Sequence, residues 1–294
     1  MATSSQWVAG ARPRTLPAAV APVLVGTAAA HDLGRANAGY AVLALVVSLA
    51  LQVGVNYAND YSDGIRGTDE DRVGPIRLVG QRLAPARNVR LAAFLCFGLA
   101  ALAGLALVAL AETWLLLLLG AAAVVAAWRY TGGTNPYGYR GLGEVYVFVF
   151  FGLFATLGTL YTQAGTLTWL GLAGSVGVGA LASAILVANN LRDIPSDAVA
   201  GKRTLAVRLG DARTRGLWTA LVLVAFAAVG VMAWRQPWTA LALLSTPLAW
   251  RPWRALRGGA AGQDLVPVLG GTGRLQIGYA GLVLAGVVLA RAVG

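Results

Sequence analysis

Charge is scarce in this chain. Only 12% of its 294 residues are Asp, Glu, Lys or Arg, against about 25% in a soluble domain. A soluble fold of this length would lack the polar surface to cover its core. Lysine is nearly absent: Lys202 is the sole one, and arginine supplies the rest of a net charge of +11. Cys96 is the only cysteine, which excludes an intramolecular disulfide and leaves the redox compartment unread. It lies in an apolar run and reads as a packing residue. His31 is the only histidine. It falls at the far end of the first apolar run from the acids described below, so it is given no metal or general-base role. Acidic residues number 12, which makes their positions informative.

What the chain has in quantity is apolar sequence, 57% of its residues, with mean hydropathy +0.67. A membrane-crossing helix needs roughly 20 apolar residues. Nine candidate spans follow, at 15–31, 39–60, 89–110, 113–130, 144–163, 168–191, 215–234, 237–253 and 274–292. Pro17 and Pro22 would kink the first, and Pro247 and Pro252 interrupt the eighth. The expected fold class is therefore an all-α integral membrane protein of about nine helices, one transmembrane domain over 1–294. With the N-terminus placed in the cytoplasm, 20 of the 23 basic residues fall on the inner side, and only Arg35, Arg235 and Arg291 fall outside. That bias fits nine spans with the N-terminus inside. It also explains the net charge without nucleic acid, because the basic residues sit in short loops between apolar runs, where lipid head groups attract them. Arg12 and Arg14 before an apolar run, with Ala28-Ala29-Ala30 beyond, imitate a signal peptide. The prolines and the eight further spans argue against one.

Eight of the 12 acids gather at two places. Asp60, Asp63, Asp69, Glu70 and Asp71 follow the second span, and Asp193, Asp197 and Asp211 follow the sixth. Ionisable groups at a membrane edge are costly and usually functional. If the second helix continues, Asn56, Asp60 and Asp63 share one face. If the sixth survives Pro195, so do Asn189, Asp193 and Asp197. Hard oxygens without His or Cys suit Mg²⁺, which binds through a few carboxylates together with substrate phosphates. Arg66, Lys202, Arg203 and Arg208 lie in the same two loops and could contact a phosphate directly. Ordinary loop acids paired with neighbouring arginines are the plainer alternative.

The segment between spans four and five, Trp128 to Glu144, is rich in glycine and tyrosine and includes Arg129, Tyr130, Tyr137 and Tyr139. It reads either as an interfacial aromatic belt or as an aromatic wall beside a developing carbocation. Glu144 either complements the dipole of the fifth helix or acts on a substrate.

Asn59-Asp60-x-x-Asp63 and Asp193-x-x-x-Asp197 resemble the two Asp-rich motifs of the UbiA superfamily of intramembrane prenyltransferases. Four stretches are similar to its naphthoate-prenylating branch: Arg12-Pro-Arg-Thr-Leu-Pro17; Asn56 to Asp69; Tyr130-Thr-Gly-Gly with Pro136-Tyr-Gly-Tyr and Gly141-Leu-Gly-Glu144; and Asn189 to Thr204. The likeness runs to about Gly210. It implies a UbiA-like helical bundle in the cell membrane, with a cytoplasmic site that uses Mg²⁺. The implied reaction moves the prenyl group of a polyprenyl diphosphate to 1,4-dihydroxy-2-naphthoate, with loss of CO₂. The metal would be held by Asn59, Asp60, Asp63, Asp193 and Asp197, the four aspartates acting in catalysis with Lys202. Substrate binding would fall to Asn56, Asn59, Arg66, Arg129, Tyr130, Tyr137, Tyr139, Glu144, Asn189, Asn190 and Arg203. The superfamily pattern has a third aspartate four residues after Asp63. Here that place is Gly67, and the next acid is Asp69. A different aromatic acceptor (4-hydroxybenzoate, homogentisate or haem) would fit the two Asp motifs equally. An ion-coupled transporter would instead place its acids within the spans.

Overall fold

A computed structural model describes residues 2–67 and 76–293. Asp69, Glu70, Asp71 and Arg72 therefore lie outside the described residues. Among the described residues there is no strand, as hydrocarbon demands, because a helix satisfies its own backbone polar groups.

Nine long helical rods follow a short helix at Ser4–Gly10. They are α1 (Pro17–Asp32), α2 (Ala38–Ile65), α3 (Ala86–Ala111), α4 (Leu116–Arg129) and α5 (Gly143–Ala164). After these come α6 (Trp169–Val199), α7 (Asp211–Ala233), α8 (Pro237–Ser245 continued by Thr246–Arg257) and α9 (Leu265–Val293). The protein is thus a multi-pass membrane protein, with six of these rods long and apolar enough to cross a bilayer on length and composition alone. Each expected span overlaps one of these rods, and several rods run further. α2 continues to Ile65 and α6 to Val199, through Pro195. Each therefore carries its acidic motif on helix rather than on loop. α9 begins at Leu265, well before the apolar run that marks it in sequence.

α8 shows how a short apolar run can be extended. Pro237–Ser245 is wound as a 3₁₀ helix, which rises ~2.0 Å per residue against 1.5 Å in an α-helix. The tighter winding gives the run from Trp238 to Trp250 the reach of a longer α-helix. Pro247 sits in the first turn of the α-helical half, where its missing N–H costs nothing.

α6 is the central rod. Its Gly, Ala and Ser residues are buried along most of its length, and α1, α5, α7 and α9 pack around it. Small residues let helices approach where no hydrophobic effect drives them together. The other half of the bundle is looser. α2 packs closely on α3, while α4 touches both lightly and is exposed along most of its length. α5 contains a π-helical stretch, Phe148–Phe154, a widened turn that is frequent at functional sites.

α5 and α6 meet at Gly152 and Gly179. A Cβ on Gly152 would stand 2.5 Å from the Gly179 Cα, which as backbone cannot move aside. Gly152→Val is expected to cost about 1–3 kcal/mol, seen as a lowered thermal midpoint in detergent. Gly230→Ala, with open space around its Cβ, should leave the midpoint unreduced.

Candidate active site

The ends of α2 and α6 and the segment between α4 and α5 meet at one pole of the bundle. Gly201, at φ +72°, turns the chain back after α6. The Lys202 N–H then caps Asp197 O at 2.8 Å, and the side chain returns under α2. There the Lys202 ammonium meets Asp63 Oδ2 at 2.8 Å, while the Tyr139 hydroxyl donates to Asp63 Oδ1 at 2.8 Å. Asp63 and Lys202 are both buried. Lys202 also stands 4.8 Å from the Tyr139 ring centre, and Arg66 covers that ring at 5.4 Å.

The Tyr130–Tyr139 segment is pinned to α2 at further points. The Thr131 hydroxyl donates to Asn59 Oδ1 at 2.8 Å, and the Arg66 guanidinium donates to the carbonyls of Thr131 and Gly133. Gly138 passes close beneath Tyr130, where its N–H bonds the Tyr130 carbonyl at 3.0 Å. Its missing Cβ permits the approach, since a Cβ would lie 2.6 Å from that oxygen. Asn56 anchors the N-terminal segment through Ala11 O and the Thr15 hydroxyl.

Below the pole lies a cavity of about 1030 Å³, at the top of the usual range for small-molecule sites. Its polar mouth includes Asn56, Asn59, Asp63, Asn189, Asn190 and Asp197, with Arg12, Arg77, Arg192 and Lys202 among them. Its depth is apolar, bounded by α2, α3, α4 and α5. One wall is a ladder of rings. Tyr130 meets Tyr137 edge-on at 5.5 Å, and Tyr137 stacks on Tyr146 at 3.8 Å. Phe150 and Phe154 follow at 6.0 and 5.2 Å. Burial raises the Tyr130 and Tyr137 phenols above their ordinary pKa, so both remain neutral at physiological pH.

The expected site residues divide into three groups. Asn56, Asn59, Asp63, Asn189, Asn190, Asp197, Lys202, Tyr130, Tyr137 and Tyr139 line the cavity. Asp60, Asp193, Arg66 and Glu144 stand just behind it. Asp60 is fully buried, and its carboxylate accepts the Leu78 and Val79 N–H groups at 2.7 and 3.0 Å. Asp193 is gripped by both arms of Arg192 at 2.8 and 2.9 Å. As placed, these two carboxylates serve protein donors rather than the cavity, because each is turned toward a stronger neighbour on its own side. Glu144 Oε1 accepts from the Asn190 amide at 2.9 Å, and Oε2 has no partner among the described residues. Arg129 and Arg203 are exposed and do not line the cavity. Arg129 ends α4 on its outer side, and Arg203 contributes its backbone N–H to Tyr139 O.

Sequence reasoning missed Arg12, Arg77, Arg192, Tyr146, Phe150 and Phe154. The three rings had a signal, their spacing of four residues within one apolar span. Arg12 stood in the Arg12-to-Pro17 stretch of the resemblance but was given no role there; it is held at φ +55° beside the cavity, a left-handed conformation that is costly for a non-glycine residue.

The donor set facing the cavity is carboxylate and amide oxygen. Among the described residues no group of three or more His, Cys, Asp or Glu side chains could hold a metal by itself. Mg²⁺ does not need one, since it takes one or two carboxylates and completes its shell with phosphate and water. The residues present therefore fit that ion as part of a substrate complex.

A charged mouth on an apolar chamber suits a membrane enzyme whose substrate is an amphiphile. Residues 19–264 match the UbiA prenyltransferase family, and the chain belongs to that family of prenyltransferases. A 1,4-dihydroxy-2-naphthoate octaprenyltransferase of Mycobacterium tuberculosis is 56% identical over 286 residues, 97% of either chain. Among solved structures, an apo UbiA homolog from Aeropyrum pernix superposes with TM-score 0.67 at 16% identity, covering 93% of this chain and 97% of that one. A UbiA homolog from Archaeoglobus fulgidus bound to GPP and Mg²⁺ gives 0.58 at 17%, covering 95% and 99%. These two share the fold.

The environment of Asp60 makes its removal informative. Asp60→Ala strands the buried Leu78 N–H and the part-buried Val79 N–H, at about 1–3 kcal/mol for a buried unsatisfied group. It is expected to lower the thermal midpoint and to open the Arg77–Arg82 turn to proteolysis, along with any loss of turnover. Lost turnover with unchanged melting and unchanged proteolysis would return Asp60 to direct substrate or metal contact.

Proposed function

We propose that this enzyme transfers a polyprenyl group from its diphosphate to 1,4-dihydroxy-2-naphthoate, with loss of the acceptor carboxyl as CO₂, to give the quinol form of demethylmenaquinone. The reaction would take place in the cell membrane with the site facing the cytoplasm, and residues 1–294 would act as one catalytic unit. The observation that carries the reading is the junction of a cation- and oxygen-lined mouth with a long apolar chamber. The mouth suits a diphosphate and the chamber suits an isoprenoid tail. The acceptor is supported by the name of the mycobacterial relative.

Lys202, Arg192 and Arg77 would supply positive charge to the diphosphate at the mouth. Asn59, Asp63, Asn189 and Asp197 are the oxygens that would hold Mg²⁺, which when bound would neutralise charge on the leaving diphosphate. The Lys202–Asp63 pair keeps that ammonium buried and aimed. As the allylic C–O bond breaks, the electron pair leaves with the diphosphate, and the tail becomes a cation. The ring faces of Tyr130, Tyr137 and Tyr146 would stabilise it, in a chamber that excludes water. The naphthoate ring carbon then attacks, and the ring regains aromaticity by losing the carboxyl as CO₂. The chain supplies position and electrostatics, with no covalent nucleophile.

Glu144 would serve the acceptor through Asn190. By accepting the Asn190 amide N–H it leaves the Asn190 carbonyl free to accept a hydroxyl from the ring. Glu144→Ala is expected to raise the acceptor KM about tenfold, the order of one charge-assisted hydrogen bond, with the prenyl diphosphate KM little changed. Equal rises in both KM values would mean that Glu144 acts on the whole site.

The direct test is turnover by the purified protein in detergent, with 1,4-dihydroxy-2-naphthoate and a polyprenyl diphosphate, followed by mass spectrometry with and without Mg²⁺. The expected result is a metal-dependent prenylated product lacking the carboxyl. Product only with 4-hydroxybenzoate or homogentisate would move the protein to another acceptor. No product with any acceptor would overturn the reading.

A further inference from the structure

A second cavity, about 310 Å³, lies between α8 and α9 and shares no lining residue with the chamber. Pro247, Pro252, Pro267 and Gly271 form part of its wall, and Arg251 and Arg274 flank it. Gly271 is what allows the wall to close, since a Cβ there would stand 2.7 Å from the Pro252 ring. Both arginines are exposed. Neither makes a hydrogen bond or ion pair with another described residue, and no Asp or Glu lines the cavity. Two guanidiniums thus flank one cleft with no carboxylate among its described lining residues.

Their depth identifies the occupant. Arg274 and Arg291 bracket an uncharged apolar stretch of α9, residues 275–290. At 1.5 Å per residue that stretch is roughly 24 Å long, close to a hydrocarbon core. Arg274 and Arg291 would therefore lie toward opposite hydrocarbon boundaries. Arg291 is bonded to the His31 and Asp32 carbonyls at the end of α1. Arg251 follows the apolar run of α8 and comes level with Arg274 across the cleft. Next to it Trp250 and Trp253 stack at 5.2 Å, and indoles of this kind mark the lipid–water interface. The side is the one that holds the acid pole, since Arg215 at the start of α7 donates to the Leu256 and Ala260 carbonyls at the end of α8.

We propose that the cleft between α8 and α9 binds the phosphodiester headgroup of an anionic phospholipid, held by Arg251 and Arg274 with the glycerol and first acyl carbons on the proline floor. Guanidinium forks match phosphate oxygens bidentately. Basic pockets between helices at this level suit lipid head groups. A soluble phosphate shares the headgroup chemistry but would gain nothing from the apolar floor or from the depth.

Native mass spectrometry of the full chain in detergent, titrated with phosphatidylglycerol or phosphatidylcholine, tests this. The wild type should retain phosphatidylglycerol in preference, and R251Q/R274Q should retain it roughly thirtyfold less, the scale expected for two surface arginines. R251K/R274K, which keeps the charge, should fall between them, and Arg235→Gln at the opposite end should match wild type. Melting in phosphatidylcholine should be the same for all variants, which excludes misfolding. Equal phosphatidylglycerol retention in wild type and R251Q/R274Q would overturn the proposal. So would displacement of the lipid by equimolar inorganic phosphate or pyrophosphate, which would make the site one for a soluble anion.

Discussion

The Asp63 carboxylate holds together three parts of the chain that are far apart in sequence. Lys202, from beyond α6, and Tyr139, from between α4 and α5, both reach it at 2.8 Å. In a buried setting neither charge is tolerable alone, and losing one partner of such a pair typically costs ~3–5 kcal/mol. The pair therefore fixes more than its own geometry. It sets where α6 must end, how the Gly201 turn must run, and how close the glycine-rich segment lies to α2. The walls of the cavity mouth are the same three segments. Closing the polar pole and building the site are one physical event.

Scarcity of charge made this pole readable in sequence. Nine apolar runs and two acid clusters stood out because almost nothing else in the chain is polar; Asn56 and Asn189 were found by their helical offset from the aspartates, and Asn59 and Asn190 through the resemblance of the two motifs. What could not be read was direction. Asp60 and Asp63 lie three residues apart, both buried, yet one is taken up by backbone N–H groups of the Leu78 turn and the other faces the cavity. That difference depends on where a segment more than ten residues away comes to rest, which helical periodicity does not carry. Arg129 and Arg203 were drawn in by proximity along the chain, and the fold turns both outward. Tyr146, Phe150 and Phe154 were hidden for the opposite reason. In an apolar span an aromatic ring looks like lipid-facing or core sequence, and the four-residue spacing that lines these three up says nothing of which side they face.

The two halves of the bundle answer different demands. Around α6, small residues bring α1, α5, α7 and α9 into close contact, and this half is rigid because the backbones themselves approach, as at Gly152 and Gly179. Around the chamber, α4 contacts α2 and α3 lightly and leaves most of its surface exposed. Without a hydrophobic drive between helices in lipid, loose packing costs the protein little there. An acyl or isoprenoid chain can replace the missing helix contacts nearly one for one.

That asymmetry settles how an amphiphile can be held. If both halves were tight, a lipid tail would have to be threaded through the charged mouth, past buried ions whose hydration is already spent. If both were loose, the mouth would lose the fixed geometry that makes a buried ion pair tolerable. A rigid half that carries one acidic motif on α6 and positions Lys202, facing a looser half that carries the other on α2, meets both requirements. A tail entering from the side would pass only through hydrocarbon. The charged end meets preorganised groups at the membrane edge, where their electrostatic effect is strongest for the least reorganisation.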